Sequence, residues 1–415
     1  MTQHVYGTTD RKTGDSTHGQ NTVVHYYDKA GVKAANAVAV YAQFADRRSM
    51  PLKMGTTYKV SKWLHIYDRE TDAADFAAKG YLTSRNIVDV SSGLSDAALA
   101  EGAGAVNKRT IKKVTIETNF ARYGEMIDYT DEVEMFAEDL VQVHYREELG
   151  LLANRRSEDL IQLDMLSTTT VMYPGTATSL STVGVDTSAA DGTEDDLSKV
   201  SYDLIRKGVR KLVRNRAEKN TSIVTGSTKI DTRTVNKAFY AVIGPEVKFD
   251  LENLTRGTGN ETEYVYVPAY KYADASNLAE GEVGAMNDVR FIESESQVVY
   301  AGAGNDAPSS YVGDLSTTTL DASSAAALNT FTGTSNYSDT DVRFDVFPIL
   351  FPTKGAFATV GLKGHGKIKF NAQAPSKIEL SNPYGTQGFF SYNMWYAGII
   401  LREERMLKML VAASA

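Results

Sequence analysis

The stretch from Lys108 to Leu166 changes its hydrophobic period part-way along, and this constrains the chain more than any other feature. In its first half Ile111, Val114 and Ile116 are interleaved with Lys, Thr and Glu, and Phe120, Tyr123, Ile127 and Tyr129 continue the run. Alternation of this kind predicts a long strand or hairpin arm with one apolar face. In the second half Val133, Phe136, Leu140 and Val143 fall at steps of three and four, and Leu149, Leu152, Leu160 and Leu163 resume the pattern. That is the period of an amphipathic helix. Thr130 and Asp131 stand at the changeover as caps, with Glu132 and Glu134 in the first turn, where negative charge complements the helix dipole. An unbroken helix over 131–166 is a rod on the order of 50 Å long at about 1.5 Å per residue, and Gly150 is where it is expected to bend. A long arm feeding a long helix suits a subunit that reaches its neighbours.

The rest of the composition narrows the classes open to such a chain. A length of 415 residues predicts two or three substructures, and a hydrophobic content of 42% is enough to bury them. The net charge of −8 and pI near 5.4 argue against a protein that wraps nucleic acid by neutralising phosphates. They do not argue against a container wall facing packed DNA. There are no cysteines, which excludes disulfides and thiolate metal sites. The N-terminus is polar without an apolar signal core, and no run approaches the ~20 apolar residues of a membrane span. The chain is therefore expected to be cytoplasmic when made. Tyrosine outnumbers phenylalanine, 23 to 15, and suits half-wet interfaces.

Along the chain, residues 1–22 read as disordered in isolation, and 31–46 as a short alanine-rich helix with Val38, Tyr41 and Phe44 on one side. Residues 53–68 predict a strand with Tyr58, Val60, Lys62, Leu64 and Ile66 on one face. The weakly hydrophobic connection 69–108 predicts a mobile or partner-stabilised tip, so that 56–68 and 108–129 pair as an extended hairpin. Such a hairpin buries little against its own subunit and needs another to cover it. Residues 198–219 form an amphipathic helix. Val200, Leu204, Ile205, Val209, Leu212 and Val213 make its apolar stripe, and Arg206, Lys207, Arg210, Lys211, Arg214 and Arg216 its basic face. For that face, a charged exterior or inter-subunit salt bridging outweighs DNA contact in so acidic a chain. Short strands at 239–243 and 264–267 flank a helix in PEVKFDLENL, and another strand begins at Val289 and Phe291. Residues 301–340 read as an inserted loop, followed by strong β character to the end.

Motifs for chemistry are sparse. Gly361 to Lys367 matches the first seven positions of a phosphate-binding loop, but the Ser or Thr that holds magnesium is Ile368. The segment leads into alternating β residues instead of a helix, so a hairpin turn is the better account. Histidines stand at 4, 18, 25, 65, 144 and 365 without a metal-ligand spacing, and His144 reads as a packing or interface residue. The carboxylate runs Glu147-Glu148 and Glu194 to Asp196 read as solvated caps or faces. No serine elbow is present. The sequence thus proposes no catalytic residue, no metal site and no cofactor.

The order of parts resembles the major capsid proteins of tailed bacteriophages, specifically the short-tailed podophage group with virion RNA polymerases. The segments that carry the resemblance are VTIETNFARYGEMIDYTDEVEMFAEDL (114–140), GEVGAMNDVRFIES (281–294) and QGFFSYNMWYAGIILREERMLKML (387–410). It spans most of the chain, but 301–340 has no counterpart in it. The resemblance implies an α+β fold of the Hong Kong-phage coat type. Residues 1–50 correspond to the N-terminal arm, 51–128 to the extended β-hairpin loop, and 129–199 to the peripheral domain with its long spine helix. Residues 200–344 correspond to the axial domain, and 345–415 to strands returning to the peripheral domain. It further implies a shell subunit that forms pentamers and hexamers with itself, closing into an icosahedral head around double-stranded DNA held without sequence-specific binding. Partners would be separate scaffold, portal and decoration proteins, with no membrane, and assembly would take place in the host cytoplasm. On this reading Tyr123, Gly124, Tyr129 and Asp131 form the hinge between arm and spine: Gly124 bends the chain, Asp131 caps the helix and the two tyrosines pack locally. The alternative reading is a β-rich tail-fibre or adhesin protein, against which the absence of repeats counts. A nucleotide-using enzyme built on 361–367 is the weaker third.

Overall fold

A computed structural model of the chain describes residues 40–63, 86–98, 113–136, 141–184, 198–224, 232–258, 261–272, 278–307, 315–319, 342–363, 368–375 and 382–414, with single positions 101, 111 and 378. In chain order, a 3₁₀ turn at Tyr41–Phe44 leads to β1 (Asp46–Met50), β2 (Thr57–Trp63), helix α1 (Ile87–Ala97), β3 (Lys113–Asn119) and β4 (Ala121–Thr130). Helices α2 (Asp131–Phe136) and α3 (Val141–Leu166) follow, then β5 (Val171–Met172), α4 (Tyr202–Arg214), β6 (Asn220–Val224), β7 (Thr232–Ile243) and α5 (Pro245–Glu252). Five short strands come next: β8 (Thr255–Thr258), β9 (Glu261–Tyr264), β10 (Val267–Pro268), β11 (Glu282–Met286) and β12 (Val289–Glu293). After them lie β13 (Thr317–Thr319), β14 (Val342–Phe344), β15 (Phe347–Phe351) and β16 (Phe357–Leu362). The last strands are β17 (Ile368–Gln373), β18 (Gln387–Tyr396), β19 (Gly398–Ile400) and β20 (Leu407–Val411).

The body is a mixed eight-stranded sheet in the order β10-β11-β12-β7-β15-β20-β5, with β6 also paired to β7. Its central strands are buried on both faces, which is why FYAVI and FPILF read as continuous apolar runs. Alternation then sorts their side chains. Phe239, Ala241, Ile243, Ile349, Phe351, Leu407 and Met409 pack with Leu204, Ile205 and Leu212 of α4 and Val247 and Leu251 of α5. Tyr240, Val242 and Leu350 face the other way, onto Ile161 and Met165 of α3 and onto Tyr41 and Phe44. The result is a sheet between two helical layers.

Two smaller sheets carry the elements that lead away from this body. Parallel pairing of β1 with β16, and antiparallel pairing of β16 with β19, make one. Its core of Met50, Val360 and Ile399 receives Tyr58, Val60, Ile116 and Phe120 from the root of the β2–β3 hairpin. The other is β17-β18-β4, whose Tyr129, Phe390, Tyr392 and Met394 pack on Leu149 and Ala153 of α3. The β2–β3 ladder itself runs antiparallel from Thr57↔Asn119 to Trp63↔Lys113, as the alternation predicts. Tyr58, Val60 and Lys62 share its more covered face.

Several expectations need correction. The arm is not one strand through residue 129. It breaks at Phe120, whose amide donates to the Thr56 carbonyl, and the following strand turns to a new partner, β18. Gly150 does not break the helix, since α3 runs through it for 26 residues, about 39 Å at about 1.5 Å each. Residues 137–140, between α2 and α3, lie outside the described residues, as does most of the expected helix over 31–46. The described end of that segment is a 3₁₀ turn followed by a strand. Within the expected tip, residues 87–97 are helical, capped by the Asn86 side chain accepting from the Val88 amide. Val213 is 56% exposed and is no part of the buried stripe of α4. The residues before the expected strand at Val289 form a strand of their own, β11, paired to β12.

The expected loop 301–340 is not all loop, because Ala303 and Leu315 are buried and β13 pairs β14. Gly361 to Lys367 is not a hairpin: β16 and β17 belong to different sheets, and 364–367 lie outside the described residues. Residues 1–22 and the run Glu194 to Asp196 also lie outside.

Candidate assembly junction

The four residues expected at the hinge are placed along β4 and at the start of α2. β4 pairs antiparallel with β18 over its whole length, with Tyr129 opposite Gly388 and Gly124 opposite Asn393. Gly124 therefore lies inside an unbroken ladder. Its role is steric: a β-carbon there would stand 2.5 Å from the Tyr392 carbonyl oxygen. Across the ladder a β-carbon on Gly388 would meet the Tyr129 ring at 2.7 Å, so a second glycine makes room for that ring.

Tyr129 is the anchor. It is almost wholly buried and stacks on Phe390, ring centroids 5.3 Å apart and 11° from parallel. Tyr145 of α3 tilts against it at 6.5 Å, and the Arg146 guanidinium lies 4.8 Å over Phe390. Burial pushes the Tyr129 hydroxyl up to about 12, helped by the nearby Glu134 charge. Tyr123 is not part of this cluster. Six residues back along the strand, roughly 20 Å at about 3.4 Å per residue, it stands well exposed. The two tyrosines expected to pack together are thus separated.

Asp131 fixes the strand-to-helix change. Its amide donates to the Thr386 carbonyl at 2.8 Å, and its carboxylate accepts from the Glu132 amide at 2.9 Å. Arg156 of α3 reaches Glu125 of β4 at 3.1 Å, a second tie between helix and strand. Near the arm's root, Lys62 pairs with Glu404 at 3.2 Å, both largely covered.

Sequence reasoning missed the partners of this junction: Phe390, Tyr145 and Gly388. The strict alternation of burial along β18 was a legible signal in GFFSYNMWY, but nothing local says that β18 pairs with a strand some 260 residues earlier. It also missed the polar seam on α3, where Glu158 accepts from the Tyr41 amide at 2.8 Å, and Asp164 accepts from the Tyr396 hydroxyl at 2.7 Å. His144 sits on α3, 3.9 Å from the Glu147 carboxylate. The other histidines, at 4, 18, 25, 65 and 365, lie outside the described residues. Among the described residues no group of three His, Asp or Glu side chains is arranged to hold a metal ion, and no helix is long and apolar enough to cross a membrane.

No family model matches the chain. Over 406 residues it is 28% identical to a protein named major capsid protein from Pseudomonas phage KPP21, covering 94% of this chain and 92% of that one. Among solved structures it is similar to the capsid of Ralstonia phage GP4, with a TM-score of 0.53 and 10% identity across 100% of this chain and 99% of the other. The α+β architecture, with its mixed sheets and few helices, is that of a phage capsid subunit.

Proposed function

We infer that the chain is the major capsid protein of a tailed bacteriophage, a structural subunit and not an enzyme, which associates with copies of itself into the virion shell. The observation that carries the physical side of this reading is the β2–β3 hairpin. Beyond its root it exposes Trp63 (64%) and Val114, and Ile111 close by (60%), apolar surface that its own core does not cover. A lone soluble chain would carry this as a liability, whereas a shell subunit covers it with its neighbour.

The finer reading follows the Hong Kong-phage coat pattern. The chain is a coat subunit of the podophage group with virion RNA polymerases. Pentamers and hexamers close an icosahedral head around double-stranded DNA in the host cytoplasm, with separate scaffold, portal and decoration proteins. Residues 1–50 serve as the N-terminal arm, 51–128 as the extended loop, 129–199 as the peripheral domain and 200–344 as the axial domain; 345–415 return to the peripheral domain. In this scheme α3 is the spine, and Tyr123, Gly124, Tyr129 and Asp131 mark the hinge where loop meets spine. The anchored Tyr129 and Asp131 support that role, because a junction must hold its angle while the loop bears on a neighbour.

Electron microscopy of the purified chain at high concentration tests the reading, with closed shells or capsomers expected. Rods would favour a fibre protein, and a monomer at every concentration would overturn the shell. Deleting 75–105 should leave a folded subunit that no longer closes shells; normal assembly of that variant would overturn the loop assignment.

A further inference from the structure

The β2–β3 hairpin cannot turn at the junction that follows it. From Ala121 to Thr130 the chain is paired residue by residue with β18, and Tyr129 is stacked into that sheet. The freedom of the hairpin lies at its two roots. On one side β3 ends at Asn119, and only Phe120 separates it from the fixed ladder. On the other, residues 51–56 join β1 to β2 as an exposed turn. Lys53 and Gly55 have positive φ there, and a β-carbon placed on Gly55 would meet nothing within 4 Å. A lever with two such short roots takes its angle from whatever holds its side.

Two contacts hold it. Tyr58, Val60 and Ile116 lie against the core of Met50, Val360 and Ile399, and apolar contact of this kind is non-directional. Lys62 ends that stripe, and its ammonium meets the Glu404 carboxylate at 3.2 Å, the two side chains 24% and 23% exposed. Among the described residues this is the one ion pair between hairpin and body. Lys59–Glu117, and Lys113 over the Trp63 ring, stay within the hairpin.

Glu404 stands on a fixed post. It belongs to the 3₁₀ turn Glu403–Arg405, and each residue of that turn is fastened to a different part of the body. The Glu403 carboxylate accepts from the hydroxyls of Thr168 at 2.8 Å and Thr169 at 3.0 Å, just past the end of α3. The Glu404 carbonyl accepts from the Asn215 side chain at 2.8 Å, at the C-terminal cap of α4. Arg405 is buried and reaches Glu218 at 3.3 Å, and its carbonyl accepts from the Thr353 hydroxyl at 2.6 Å. The hairpin thus carries the movable partner of the ion pair and the body the fixed one.

We propose that Lys62–Glu404 is a latch that sets the angle of the hairpin to the body, closed in this structure and open in copies whose neighbours draw the hairpin to another angle. An ion pair still partly open to water contributes little, so it opens without unfolding the subunit. The use of the latch rests on the shell reading, since copies in pentamers and hexamers meet their neighbours at more than one angle. The latch itself is a property of the single chain.

The chain has no cysteine, so spin labels can be placed on introduced ones alone. In full-length S61C/K207C one label rides on the hairpin and the other on α4, and in E148C/K207C both sit on the body; all three positions are exposed. Double electron–electron resonance of the unassembled chain should give one main hairpin-to-body distance. K62M keeps the apolar stem of the lysine and removes its charge, and E404A removes the other partner. Each should raise the share of molecules outside the main distance roughly two- to fivefold, as for loss of one such ion pair. The double variant should go no further than either single, because both changes remove the same interaction. The body-to-body distance should stay as in wild type, and the melting temperature within about 2 °C of it. An unchanged distribution in K62M or E404A overturns the latch, and so do additive effects or a broadened body-to-body distance. In wild-type shells grown with labelled subunits diluted among unlabelled ones, the hairpin distance should split while the body distance stays single. A single hairpin distance there overturns the opening of the latch. A chain that never forms shells overturns the shell reading and with it the use of the latch.

Discussion

The carbonyl oxygen of Tyr392 lies 2.5 Å from where a β-carbon on residue 124 would stand, so Gly124 is a steric requirement of the β4–β18 ladder. The obstacle is backbone, which cannot swing aside as a side-chain tip can. Gly124→Ala should therefore cost roughly 1–3 kcal/mol, the range for forcing extra volume into a packed site. Gly361, also in a strand, is roomier: a β-carbon there would stand 3.9 Å from its nearest obstacle, the Arg48 carbonyl oxygen. Gly361→Ala should change stability by no more than about 0.5 kcal/mol. Urea denaturation of the two variants side by side decides the matter; equal effects would refute the steric argument.

Asp164 gives a pH-dependent prediction. Burial raises its carboxyl above the ordinary 3.8, and the hydrogen bond from Tyr396 offsets part of that rise. The folded chain thus binds this proton more tightly than the unfolded chain. The stabilisation is full below the unfolded value and is lost as pH rises through the folded value. Asp164→Asn keeps an acceptor for the Tyr396 hydroxyl and removes the charge. Its melting temperature at neutral pH should equal or exceed wild type, and it should lose less stability as pH rises from 3.8. Asp164→Ala should instead cost about 1–3 kcal/mol by leaving a buried hydroxyl unpaired. Melting curves across pH separate the two.

Asp345 ties the segment after residue 300 to the body. One carboxylate oxygen accepts from the Gly302 amide at 2.7 Å, and the other from the Ser316 hydroxyl at 2.7 Å. The side chain is buried, so Asp345→Ala orphans two donors at once and should destabilise by about 2–6 kcal/mol, near one to three per group. Asp345→Asn retains one acceptor and should fall between. Limited proteolysis should show faster cutting within 301–340 in the alanine variant; unchanged cutting would place the tie elsewhere.

The segment after β20 should be needed for the fold. Ala412 donates to the Ser198 carbonyl at 2.9 Å, Ser316 donates to the Ala413 carbonyl at 3.0 Å, and Ser414 binds Asp250. Stopping the chain after Val411 should lower soluble yield and melting temperature together, because three separate segments lose their partner. Circular dichroism on the shortened chain would reveal an unaffected fold if the segment were dispensable.

Legibility in the sequence followed the range of the forces involved. The amphipathic α4 and the β2–β3 ladder could be read because each is set by local period and by a short pairing. The strand-to-helix change at Asp131 could be read because the switch from alternation to a period of three and four is local. What could not be read is pairing between distant segments. The break at Phe120 depends on β18, and β18 is invisible from residue 120. Gly124 is legible as a glycine, but its reason, the approach of the Tyr392 carbonyl, exists only once the ladder has formed. At Gly150 the local cost of glycine weakens the helix, and the packing of Leu149 and Ala153 on β18 favours its running on unbroken. Period alone places Val213 on the apolar stripe, whereas the fold leaves that side chain of α4 exposed.

β20 runs between β15 and β5 in the body sheet, pairing antiparallel with Phe347–Phe351 and in parallel with Val171–Met172. Strands so far apart in sequence cannot register until the chain between them has been made. A nascent chain interrupted between residues 351 and 407 carries an apolar β15 with one open edge, which invites aggregation. Chains shortened before β20 are therefore expected to be cleared instead of accumulating in folded form. The position of one strand acts as an inspection step for the whole chain.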